Sequence, residues 1–188
     1  MENKFNETLS RYEQSLSKIS LNEYFEADDL LDIIDSSIKH ERYADADQCL
    51  GFALVQYPDN EDIWITKAYR LKSEGHWDEA RAIIDNLSDQ ECADAKLFRV
   101  EENIASGDWD RAFFLVERIM DDKLVPNRVE LIVDIAELLI DYGLYTEATY
   151  FLKHVPDGHS EKPHALELMA ECHFQNHDYD KAVEESNK

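Results

Sequence analysis

Gly75-His76-Trp77-Asp78-Glu79-Ala80 is one of five short phrases of a single design along this chain. Glu41-Arg42-Tyr43-Ala44-Asp45-Ala46 precedes it. Gly107-Asp108-Trp109-Asp110-Arg111-Ala112, Gly143-Leu144-Tyr145-Thr146-Glu147-Ala148 and His177-Asp178-Tyr179-Asp180-Lys181-Ala182 follow. In each, an aromatic residue is followed three positions later by alanine. The aromatic residues stand 34, 32, 36 and 34 apart (43 to 77, 77 to 109, 109 to 145, 145 to 179). A period of this length sets the architecture before any single residue is weighed. It also argues against catalysis, because stacked repeats mainly build surfaces that grip other proteins.

Working outward from these phrases gives helix pairs. In the unit 27–60, Leu30, Ile33, Ile34 and Ile38 recur at helical spacing and predict a first helix with one apolar stripe. Asp28 and Asp29 stand at its start, where carboxylates favour the helix dipole. A second helix carries Tyr43, Ala46, Cys49, Leu50, Ala53 and Leu54 inward until Pro58 stops it. The unit 61–92 repeats the plan with Trp64, Ala68 and Leu71, a turn at Gly75, then Trp77, Ala80, Ile83, Ile84 and Leu87. The unit 93–128 turns at Gly107 and runs through Trp109, Ala112, Val116 and Ile119. The unit 129–162 uses Ile132, Ile135, Ala136 and Leu139, turns at Gly143, and continues with Tyr145, Ala148 and Leu152. The unit 163–188 is incomplete. It opens near Pro163, a good first-turn residue, and shows Leu166, Met169, Ala170 and Phe174 before Tyr179 and Ala182.

On these residues the chain resembles a tetratricopeptide repeat array over residues 27–188. The unit 61–94 fits the 34-residue pattern of that family best: Trp64, Ala68, Leu71, Gly75, Trp77, Ala80, Ile84 and Leu87 fall in place, and Lys67 departs. Leu30, Ile33, Tyr43, Ala46, Leu50, Ala53 and Pro58 carry the first unit. The resemblance implies an all-α, right-handed α-solenoid of about five helix pairs, with an extra N-terminal helix and linker over residues 1–26. Ala46, Ala80, Ala112, Ala148 and Ala182 then let the two helices of a pair approach, and the aromatic residue before each fills the space beside the contact. The third unit departs from the pattern. Lys96, Arg99 and Asn103 stand where apolar residues are expected, so Leu97, Phe98 and Ile104 are expected to form its inner face.

Composition excludes several classes. The 188 residues include 42 acids against 19 Lys and Arg, a formal charge of −23. Nucleic acid is a poor ligand for such a chain, since phosphates need Lys and Arg to displace counterions. An anionic membrane surface repels it, whereas a basic peptide is attracted and steered. Surface acids also simply maintain solubility. Five glycines and four prolines are sparse punctuation and suit long helices with tight turns. The three cysteines, Cys49, Cys92 and Cys172, form no C-x-x-C pair and fit buried thiols in a reducing compartment. The N-terminus lacks the pattern of a signal peptide, and no apolar run has the length of a membrane span. Cytoplasmic residence is the expectation.

Residues Phe5, Leu9, Tyr12, Leu16 and Ile19 are spaced 4, 3, 4 and 3, which predicts one helix with an a/d-type stripe. Two uses fit it: a cap on the first repeat, or a homodimer seam. Tyr24 and Phe25 are expected to anchor the link to the array. At the other end the chain stops soon after Ala182, within a second helix. The expectation is an open repeat with an exposed apolar face, a second route to self-association.

No phosphate loop, G-x-S-x-G or H-E-x-x-H is present, and no cofactor is expected. Cys172, His173 and His177 have spacing that could suit a metal, but His177 occupies the turn slot held elsewhere by Gly75 and Gly107. His154, His159 and His164 read as loop residues without a closing ligand. The family resemblance implies a concave groove lined by the first helix of each pair. Its matching positions here are Asp28, Leu31 and Asp35; Asp62, Ile65 and Tyr69; Asp94, Leu97 and Glu101; Glu130, Val133 and Glu137; and Glu171. The Lys/Asn clamp with which some members hold the C-terminal carboxylate of chaperones is missing, since Leu31, Asp35, Ile65 and Tyr69 stand in its place. The expected function is therefore a non-catalytic protein-interaction scaffold whose acidic and aliphatic groove holds a basic or amphipathic peptide. The alternative expectation is a regulatory or sensor arm of a larger protein whose active or membrane region lies beyond residue 188. In the groove the aliphatic positions have a second use, packing against neighbouring helices.

Overall fold

The computed structural model describes residues 2–17, 24–122, 125 and 127–186. Among them are eleven helices and no strand. In chain order these are α1 (Glu2–Ser17), α2 (Ala27–Lys39), α3 (Tyr43–Gln56), α4 (Glu61–Ser73), α5 (Trp77–Ile84), α6 (Ala93–Ala105), α7 (Trp109–Asp121), α8 (Arg128–Asp141), α9 (Tyr145–Leu152), α10 (Lys162–Gln175) and α11 (Tyr179–Ser186). Helices adjacent in sequence pack on each other within two compact units, Met1–Leu87 and Ser88–Lys188.

The five phrases are five turns of one geometry. The aromatic residue of each is the first residue of α3, α5, α7, α9 and α11. Two positions earlier the backbone is left-handed, with φ of 59° at Glu41, 85° at Gly75, 79° at Gly107, 74° at Gly143 and 62° at His177. The next amide then folds back over the end of the preceding helix. Arg42 N donates to Ser37 O (2.8 Å), His76 N to Leu71 O (2.9 Å), Asp108 N to Asn103 O, Leu144 N to Leu139 O and Asp178 N to His173 O (2.8 Å each). The left-handed residue's own amide bonds three residues back, as in Gly75 N to Lys72 O (2.9 Å) and His177 N to Phe174 O (3.0 Å). This pair of bonds is the Schellman closure, which satisfies carbonyls that a helix end otherwise leaves bare. Three residues past each aromatic, Ala46, Ala80, Ala112 and Ala148 are buried where the two helices of a pair meet, and Ala182 is partly buried.

Starts are set locally as well. Asn60 accepts from Ile63 N (3.1 Å) at α4, and Asp108 accepts from Arg111 N (3.3 Å) at α7. The Cys92 sulfur takes that place at α6, accepting from Ala95 N (3.4 Å). Pro163 lies in the first turn of α10.

In the first unit, α2 packs on α3 and α4, and α4 packs on α5. Leu30, Ile33, Ile34, Cys49, Leu50, Ala53 and Ile63 form its core. The N-terminal helix joins that core. Tyr12 is 3% exposed and meets Phe25 and Phe52 edge-on, with centroids 5.8 and 6.1 Å apart, while Phe5 and Leu9 pack beside it. The stripe therefore faces inward over these three residues, as a cap does. Leu16 and Ile19 lie outside the described side chains. Phe25 is buried and its carbonyl accepts from Tyr57 Oη (2.6 Å) and Gln56 Nε2 (3.2 Å), whereas Tyr24 stays exposed.

In the second unit α8 is central. It packs on α6, α7, α9 and α10, and Leu131, Ile132, Val133, Ile135, Ala136 and Leu139 are all buried. A helix with four neighbours needs a broad apolar face, and Asp134, Glu137 and Asp141 keep to its exposed side. Lys96, Arg99 and Asn103 do not enter this core. Lys96 pairs with Glu91 (2.9 Å), Arg99 donates to Gln90 O (2.8 Å), and Asn103 donates to Arg99 O (2.6 Å). Phe98 and Ile104 are buried as expected, along with Ala95 and Val100; Leu97 packs against the core only in part.

Three expectations are corrected. Trp64 is 36% exposed, and Ile63 holds the buried position of α4. The indole N–H needs an acceptor and finds Pro58 O at 2.8 Å, at the helix entrance, while isoleucine has nothing polar to satisfy. Phe174 is 59% exposed, because Ala165, Met169, Cys172 and His173 fill the face that α10 turns inward. Tyr43, expected inward, is exposed beneath Arg70, whose guanidinium lies 5.1 Å from the ring centroid.

The turns carry a clean test. A Cβ placed on Gly107 meets nothing within 4 Å, so Gly107→Ala strains only the backbone. It should destabilise by about 1 kcal/mol, and Glu41→Gly, which relieves the same strain, should stabilise by a few tenths to about 1 kcal/mol. Urea unfolding of both variants measures the two signs.

Candidate functional site

The thirteen positions expected to line a groove fall on both units. In the first, Asp28, Asp35 and Asp62 are exposed, whereas Leu31, Ile65 and Tyr69 are partly buried. Leu31 leans on the core, and Lys72 Nζ lies 4.5 Å from the centre of the Tyr69 ring. Here acids alternate with half-covered apolar groups.

The second unit draws its positions together more closely. Helices α6, α8 and α10 are successive neighbours. Asp94 and Glu130 are partly exposed, and Glu137 and Glu171 are exposed. Two of the expected positions are used inside the protein. Val133 is 2% exposed and belongs to the core, since α8 is flanked on several sides. Glu101 is 8% exposed, and its carboxylate accepts from the Tyr142 hydroxyl at the end of α8. Burial and that carboxylate push the Tyr142 hydroxyl up. Leu97 is partly buried against the core. The aliphatic row therefore serves packing first, most completely at Val133.

Two residues of this face were not singled out from the sequence. Asp134 lies four residues after Glu130 and three before Glu137, so the helical spacing on α8 could have found it. Its carboxyl is raised above the usual range, first by burial and then by Glu137, Glu161, Asp94 and Glu130. The charges of carboxylates on α6 and α8, and of the residue just before α10, thus all act on Asp134. The other missed residue is His164. It was expected in a loop, but α10 begins at Lys162 and places it in the first turn of the helix. Proline is favoured in a first turn and leaves the following residues helical, which is why Pro163 starts the helix ahead of His164. There Nε2 of His164 meets Oε1 of Glu137 at 2.7 Å, linking α10 to α8. That hydrogen bond, ahead of the opposing effect of burial, raises the imidazole pKa above its ordinary value; Glu137, Glu161 and Glu167 add to the rise.

The remaining histidines and cysteines have structural surroundings. His177 holds the left-handed turn position, with Nδ1 3.0 Å from the Tyr179 hydroxyl. Among the described residues no three His, Cys, Asp or Glu side chains are placed to hold a metal. Cys49 is buried and its thiol is pushed up to about 11, chiefly by burial, and burial raises Cys172 too. Thiols so placed are poor nucleophiles. Among the described residues no helix is long and apolar enough to cross a membrane.

The two shifted groups give pH dependences of the same sign, stability falling as pH rises, although one makes a stabilising contact and the other is held against repulsion. The folded-state pKa of His164 is raised, so its contribution is fully present below the unfolded value near 6.5 and is lost as pH rises through the folded value. His164→Gln should therefore lose stability at pH 6 and little at pH 9. With both partners more than two-fifths exposed the loss stays below about 1 kcal/mol. The Asp134 pKa is also raised, and for an acid this too means destabilisation as pH rises through the shifted range. Asp134→Asn should stabilise at neutral pH, with the gain fading in acid. Denaturant midpoints across pH check both.

Compared with known proteins, the chain matches no family model and no curated protein.

Proposed function

We propose that the chain is a tetratricopeptide-like α-solenoid acting as a non-catalytic interaction scaffold, and that the α6–α8–α10 face takes a basic or amphipathic segment of a partner protein. Five turns of one geometry at a period near 34 residues support the fold reading, as do the contacts that skip one helix, α2 with α4, α6 with α8 and α8 with α10. Such stacking leaves one row of helices presenting a shared surface.

The functional reading is carried by the charges of Asp94, Glu130, Glu137 and Glu161 all acting on Asp134, from or beside helices α6, α8 and α10, which pack as neighbours. Like charges held together disfavour one another, and a cationic ligand relieves that repulsion. Partly covered Leu97 and Ile140 lie on the same helices and give such a segment apolar contact. Glu101, bound to Tyr142, is not available to a ligand without breaking an internal bond.

The test uses a fluorescent amphipathic Lys/Leu helix as probe, with anisotropy read at two salt concentrations. Glu130→Lys together with Glu137→Lys should weaken binding by roughly tenfold and flatten its salt dependence. Asp110→Lys together with Asp121→Lys, an equal charge change at exposed positions on α7, is the control. Equal weakening by both pairs would mean that the net charge of −23 attracts the probe without a defined face.

A further inference from the structure

The first unit holds a pocket between the start of α4 and the end of α5, with a volume of about 480 Å³. That lies within the range of small-ligand sites. Trp64, Ala82, Ile83 and Leu87 make its apolar walls, and Asp59 and Glu61 add carboxylates. Asn86 is the remaining polar group.

The charge of the pocket is one-sided. The Trp64 indole N–H is already donated to Pro58 O at 2.8 Å. An amide hydrogen of Asn86 is donated to Ala82 O at 2.6 Å. Trp64 then offers its indole ring, and Asn86 its amide oxygen and one remaining N–H, beside two carboxylates. No Lys, Arg or His lines the wall. An indole beside carboxylates attracts a cation through both the ring quadrupole and the charge. The aliphatic wall suits a hydrocarbon stem behind that cation.

We propose that this pocket is a binding site for a lysine side chain and its flanking backbone, presented by a partner polypeptide. The aliphatic stem lies along Ile83 and Leu87, and the ammonium group meets Asp59 and Glu61 over the face of the Trp64 ring. A stem of four methylenes fills only part of 480 Å³, which leaves room for neighbouring residues of the same segment. The site is separate from the α6–α8–α10 face. It stands or falls on residues of the first unit alone. Asp59 and Glu61 also lie where acids favour the start of α4, but that role alone gives no response to a ligand.

The three tryptophans of the chain provide the readout. Indole N–H cross-peaks of the 188-residue protein are followed by NMR, with Trp64 assigned from Trp64→Phe. The probe is an acetylated, amidated pentapeptide with a central lysine between alanines. Counterparts carry norleucine or glutamate at the centre. The lysine peptide should move the Trp64 peak saturably and leave the Trp109 peak in place. Norleucine, which keeps the stem and lacks the charge, should bind roughly tenfold more weakly, and glutamate should not bind. Asp59→Asn with Glu61→Gln should weaken the lysine peptide to the norleucine level. Ala82→Leu fills the pocket from an exposed helix position and should abolish the shift while leaving both carboxylates in place. Equal binding of lysine and norleucine, an unmoved Trp64 peak, or binding undiminished by Ala82→Leu would each overturn the proposal.

Discussion

A helix that must reverse within three residues has to put one of them in the left-handed region, and the protein depends on doing this at positions 41, 75, 107, 143 and 177. The left-handed residue turns the next amide back onto the ending helix, and the aromatic residue after it opens the second helix. Because the reversal is short, the two helices of a pair lie against each other from their first turn. Three residues after the aromatic the chain is buried between neighbouring helices, where a small side chain allows close packing. That is why alanine recurs there, with Ala80, Ala112 and Ala148 fully buried. Turn, aromatic and alanine are thus a single constraint seen at three positions. Glycine meets the backbone condition freely at three of the five turns. At the other two, Glu41 and His177 adopt it at some expense in strain.

The features that such a constraint fixes locally were legible in the sequence. Helix starts, reversals and buried alanines depend on residues within a few positions of one another. What depends on neighbouring pairs was less legible. Ile63 and Trp64 are adjacent and both apolar, and either fits the spacing. The choice falls to the need of the indole N–H for an acceptor, met by Pro58. Val133 belongs to the same row as Leu31 and Ile65, yet it is buried because α8 has four neighbours. Glu101 shares a row with Asp35 and Glu137, but it lies within reach of Tyr142 from the next pair. No periodicity within one helix reveals how many helices flank it.

The acidic composition also takes on a local form. Surface acids on a chain of −23 need no special explanation. Carboxylates converging on Asp134 are different, because their proximity raises a free energy that dispersal would avoid. Within the protein His164 relieves part of it through Glu137. The same crowding favours a cation arriving from outside, so the interaction reading follows from how the helices stack and from where the acids lie on them. The resemblance to the repeat family singled out Glu130 and Glu137. The contribution of α10 stayed hidden because His164 read as a loop residue.

Hydrogen exchange at the amides of Arg42, His76, Asp108, Leu144 and Asp178 tests the repeated reversal most directly. All five belong to short connections, and four of the five side chains are exposed, so unstructured loops would exchange them at rates near those of free peptides. If each amide is bonded to the helix it has just left, all five are protected to a similar degree as the interiors of the flanking helices. Fast exchange at these positions, with slow exchange in the helices around them, would contradict the turn geometry on which the stacking of pairs rests.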